Sequence, residues 1–102
     1  INDDSLYEMI VWQDGKPAAC GGLRFFELTP DGQGRNRAAW LVNFYAEDNE
    51  FKAQSLDMIL NHLMQVAKEM KMDQVYSRER IFEDMKSAGF EACSSLWQIR
   101  LV

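Results

Sequence analysis

Residues 37–45 (RAAWLVNFY) carry large apolar side chains at both parities, with Trp40, Val42 and Phe44 on one side and Leu41 and Tyr45 on the other. An extended chain sends successive side chains to opposite faces, so a strand apolar at both parities must be covered on both faces. This segment therefore belongs at the centre of a sheet. One long helix is available to pack on it. Across residues 51–70, Leu56, Ile59, Leu60, Leu63, Met64, Ala67 and Met70 recur at three- and four-residue steps and form a single stripe. Met58 falls off that stripe. Asp48 or Asn49 is the expected cap, with Glu47, Asp48 and Glu50 at the positive end of the helix dipole and Lys68 and Lys71 near its negative end.

The flanking segments read as strands. Residues 7–12 (YEMIVW) are rich in β-formers, and Gln13-Asp14-Gly15 then forms the turn of a hairpin. Residues 17–28 (PAACGGLRFFEL) make a long second strand, in which Gly21-Gly22 marks a bulge or a close backbone approach. Residues 29–36 (TPDGQGRN) are loop chemistry. After the helix come a short strand at 74–77 and a short helix at 81–88 closed by Gly89. A strand at 96–102 follows, with Trp97, Ile99 and Leu101 inward and Gln98 and Arg100 outward. The expectation is one α+β domain over residues 1–102, without repeats or linkers.

Composition narrows the function. Eleven basic residues against 16 acidic ones give a formal charge of −5, which argues against nucleic acid or an anionic membrane as partner. No apolar run approaches the ~20 residues of a membrane span. Cys20 and Cys93 are too few for a disulfide scaffold and lack metal-ligand spacing, so a reduced, cytoplasmic setting without a metal is expected. The opening at Ile1 reads as a fragment or a processed product.

Few residues announce catalysis. His62 is the one imidazole and lies off the apolar stripe, so it should face solvent. Helix spacing sends Ser55, Asp57 and His62 in different directions, which opposes a nucleophilic triad. Gly32-Gln33-Gly34 lacks a strand before it and a helix after it and is read as loop, not as a dinucleotide fingerprint. Arg78, Glu79, Arg80, Glu83 and Asp84 read as a mixed, solvated surface. The junction of a central strand ending at Tyr45 with a helix beginning near Phe51 is more informative, because helix N-termini present N–H groups that attract phosphate.

The residues Lys16-Pro17-Ala18-Ala19-Cys20-Gly21-Gly22-Leu23, Leu41-Val42-Asn43-Phe44-Tyr45, the helix from Phe51 and Ala88-Gly89-Phe90 together resemble the GNAT superfamily of N-acetyltransferases. The resemblance runs from about Tyr7 to Val102. It implies an acyl-CoA N-acyltransferase fold with a central mixed or antiparallel sheet, one long and one short helix, and the family's N-terminal strand and helices missing. Those missing helices would cover the bare sheet face, so pairing through that face, with a second copy or another segment, is expected.

The resemblance further implies acetyl-CoA as co-substrate and no metal. Lys52-Ala53-Gln54-Ser55-Leu56-Asp57 stands where the family has Arg/Gln-x-x-Gly-x-Gly/Ala for the diphosphate. The implied cofactor-binding residues are Lys52, Ala53, Gln54, Ser55 and Leu56, with backbone at Phe44 and Tyr45 for the pantetheine arm and the thioester carbonyl. Many family members carry a tyrosine as general acid before the Gly-Phe; Met85 stands there, leaving Tyr76 and Tyr45 as hydroxyl donors. No catalytic residue is assigned. With Ser55 and Asp57 in the loop, the expectation is a GNAT-like domain with an impaired acetyl-CoA site and weak or lost transfer. One alternative is a working enzyme moving acetyl to a small-molecule or peptide amine; another is a small α+β interaction domain.

Overall fold

The computed structural model of the protein describes residues 5–28 and 36–101. The chain runs β1 (Leu6–Gln13), β2 (Lys16–Leu28), β3 (Asn36–Ala46), α1 (Lys52–Glu69), β4 (Gln74–Ser77), β5 (Glu91–Cys93) and β6 (Leu96–Arg100). The strands form one mixed sheet in the order β1-β2-β3-β4-β6-β5, with β3 inside it as its double-sided apolar pattern requires. Neighbours are antiparallel except β3 and β4, which are parallel and joined by α1. Residues 29–35, with Gly32-Gln33-Gly34, and Val102 lie outside the described residues.

The core sits between α1 and one sheet face. Ile59, Leu60, Leu63 and Ala67 of α1 are buried with Leu23 of β2, Ala39 and Leu41 of β3, and Val75 of β4. A fully buried Ile or Leu contributes roughly 1.5–3 kcal/mol of transfer free energy, so this stripe fixes α1 on the sheet. The opposite face carries Phe26, Trp40 and Tyr76 in a row, with ring centroids 5.9 Å and 5.5 Å apart. No helix among the described residues covers that face.

Gly21-Gly22 does both things expected of it. Gly22 pairs with Val42 and Cys20 with Tyr45, so Asn43 and Phe44 together stand against Gly21 alone, a β-bulge. Asn43 takes the left-handed conformation at φ 59°. A Cβ on Gly21 would lie 2.8 Å from the Phe44 ring and 2.9 Å from Ile59, and one on Gly22 would lie 2.8 Å from the Tyr7 carbonyl.

Several expectations need correction. Residues 81–88 form bends and a turn, not a helix. Asp84 there accepts from both the amide and the hydroxyl of Ser87, a local arrangement that competes with helical bonding, and Met85 is drawn into the core. Met70 is 43% exposed because it lies just past the last helical turn. The N-cap position is Phe51; Asn49 Oδ1 instead accepts from the Phe51 amide at 2.8 Å, and no acid occupies the first turn. Gln98 is buried, flanked by Tyr76 of β4 and Glu91 of β5. β5, three exposed residues, had no periodicity to announce it.

Candidate acyl-carrier groove

The parallel pair β3 and β4 stays in register for three residues only, from Ala38 opposite Gln74 to Trp40 opposite Tyr76. β3 continues to Ala46, while β4 ends at Ser77, whose hydroxyl turns to the carbonyl of Glu79 at 2.7 Å. Past Trp40 the two strands part. A cavity of about 440 Å³ opens between them, walled by Leu41, Val42 and Phe44 on one side and by Ser77, Arg78 and Ile81 on the other. Asn43 and Phe44 of the bulge line this gap, and the bulge breaks the regular ladder with β2 there.

A second cavity, about 620 Å³, adjoins the first at Ile81 and lies at the N-terminal end of α1. Its apolar floor includes Ala53, Leu56, Phe82 and Ala88. A helix leaves its first N–H groups without partners inside the helix. Here Phe51 N–H bonds Asn49 Oδ1, Lys52 N–H bonds the Asn49 carbonyl, and Ser55 N–H bonds the Phe51 carbonyl. Ala53 and Gln54 carry the two remaining amides.

The charge around this end is negative. Asp48, Glu50, Asp57, Glu83 and Asp84 line the cavity, with Lys52 as the one base among the lining residues. The hydrogen bonds from Ser87 lower the pKa of the Asp84 carboxyl from its ordinary value of 3.8. This group therefore stays anionic throughout the neutral range.

The expected site residues divide accordingly. Lys52, Ala53 and Leu56 meet in the α1 cavity and Phe44 lies in the neighbouring one. Ser55 is buried, while Gln54 and Tyr45 are exposed and line neither cavity. Glu83 and Asp84 join from a distant segment, and Arg78 and Glu79 line the strand gap; all four had been read as plain surface. Arg80 stacks over Trp97 instead, 5.4 Å from the ring centroid. Met85 is 1% exposed and belongs to the core. The Tyr76 hydroxyl donates to Gln74 Oε1. His62 bonds Tyr7, so Ser55, Asp57 and His62 do not converge. Among the described residues no group of three or more His, Cys, Asp or Glu could hold a metal, and no helix is long and apolar enough to cross a membrane.

Solved structures share this fold. A predicted acetyltransferase from Clostridium acetobutylicum, solved with acetyl-CoA, superposes with a TM-score of 0.74 at 18% identity, over 89% of this chain and 61% of that one. Glucosamine-6-phosphate N-acetyltransferase from Arabidopsis thaliana gives 0.73 at 18% identity, over 89% of this chain and 63% of its own. The fold is that of the GNAT N-acetyltransferases. An aminoglycoside 6′-acetyltransferase type Ii matches the GNAT core with a TM-score of 0.69 at 9% identity, over 98% of this chain and 72% of its own. The present chain thus spans about three fifths of the length of the first two GNAT proteins. No family model matches its sequence, and no curated protein does.

Proposed function

We propose that this chain is a GNAT-fold domain whose acyl-CoA groove is impaired at the diphosphate end, so that acetyl transfer from acetyl-CoA is weak or lost. The observation that carries this reading is the set of five carboxylates sharing the α1 cavity with Lys52. Lys52 and the amides of Ala53 and Gln54 would receive the diphosphate, but they are outnumbered. Like charges repel, and each 1.4 kcal/mol of repulsion is about tenfold in affinity, so five acids against one lysine weaken the hold on a diphosphate. The residues at this end do not fit a diphosphate.

Calorimetric titration with acetyl-CoA tests the reading. No saturation at millimolar acetyl-CoA is expected; saturable micromolar binding would overturn it. The second reading, a working N-acetyltransferase acting on an amine, draws support from the bulge at Asn43 and the parting of β3 from β4, which keep a slot for a thioester arm. Acetyl transfer to a panel of amines, followed by release of free CoA thiol, is its test.

A further inference from the structure

The charged residues lining the gap between β3 and β4 are Arg24, Arg78 and Glu79, and among them Arg78 stands over the Trp40 ring. We propose that this gap binds a small amphiphilic monocarboxylate, its carboxylate on Arg78 and its apolar body between β3 and Ile81. The inference goes beyond the reading above, because it needs no thioester; a thioester arm in the same gap would compete with the carboxylate.

Two observations carry it. The Arg78 guanidinium stands 4.6 Å from the centroid of the Trp40 ring, a contact that uses its charge and leaves its planar N–H fork for an acceptor. Among the described residues no carboxylate bonds that fork. A fork of this shape matches a carboxylate through two parallel hydrogen bonds. Next, Leu41, Val42, Phe44 and Ile81 give the gap apolar wall, beside the polar Asn43 and Ser77. A cavity of about 440 Å³ admits a ring or a branched chain but not a large cofactor.

The test compares 3-phenylpropanoate with 3-phenylpropanamide, equal in shape and different in charge, by two-dimensional NMR of the tryptophan indole N–H signals at fixed ionic strength. The acid should shift the Trp40 signal saturably and bind about tenfold or more tighter than the amide. Arg78→Gln should erase that preference, Arg78→Lys should keep part of it, and Arg80→Gln should leave it intact. Circular dichroism confirms that each variant folds. Equal binding of acid and amide, no binding of either, a preference that survives Arg78→Gln, or one lost equally in Arg80→Gln would each overturn the proposal.

Discussion

The Tyr7 hydroxyl lies 2.8 Å from His62 Nε2, and the two rings stack with centroids 5.9 Å apart, tying the outer strand β1 to α1 across 55 positions of sequence. A hydrogen bond of this kind contributes about 0.5–1.5 kcal/mol. Tyr7→Phe keeps the stacked ring and removes the bond, so it should lower stability by about that amount in urea unfolding. Tyr7→Ala should cost more. An unchanged midpoint for Tyr7→Phe would show that the bond adds nothing.

Gly21 leaves no room for a side chain between the Phe44 ring and Ile59 of α1. A methyl there meets both the Phe44 ring and Ile59 at under 3.0 Å, and Ile59 is fully buried. Overpacking of this sort costs about 1–3 kcal/mol. Gly21→Ala should destabilise by that amount, and adding Phe44→Leu should recover part of it. A Gly21→Ala protein as stable as the parent would show that the bulge can move aside.

The element order was legible because two simple periods carry it. β-formers on either side of the Asp14-Gly15 turn marked β1 and β2, and alternation marked β6; apolar residues at both parities marked β3; steps of three and four marked α1. What failed was local. A helix over 81–88 would have been short, with little cooperative gain, and Asp84 and Ser87 bond each other's neighbourhood instead. The candidate site was legible only where it is continuous in sequence. Lys52, Ala53 and Leu56 could be placed from the helix start, whereas Glu83 and Asp84 reach the same cavity through the turn after β4, a proximity that no spacing rule contains. Arg78 and Glu79 look like ordinary surface charges until the parting of β3 from β4 puts a cavity beside them.

Asp84 ties stability to acidity. Its carboxyl is lowered first by the Ser87 hydroxyl and then by the Ser87 amide. A carboxyl whose folded value is lowered stabilises the fold above its unfolded value, and that contribution is lost as pH falls through the folded value. The advantage of the parent over Asp84→Asn should therefore be full at neutral pH and vanish as pH drops below the ordinary value of 3.8. Urea midpoints of both proteins measured from pH 7 down to about pH 2 check this. A gap that widens on acidification would contradict it.

Charge removal at the α1 cavity should restore anion binding without moving backbone. Asp57→Asn with Glu83→Gln deletes two of the five carboxylates and should raise acetyl-CoA affinity by about tenfold or more. Unchanged titration curves would remove repulsion as the explanation of weak binding.

The most direct test compares acetyl-CoA with acetylpantetheine, which keeps the thioester arm and lacks the diphosphate and nucleotide. If carboxylates spoil the diphosphate end, the whole cofactor should bind no more tightly than the arm alone, and its binding should not improve when salt is lowered. Micromolar binding of acetyl-CoA, about a hundredfold or more above acetylpantetheine, would mean that the end of α1 grips the diphosphate after all, and the account would fall.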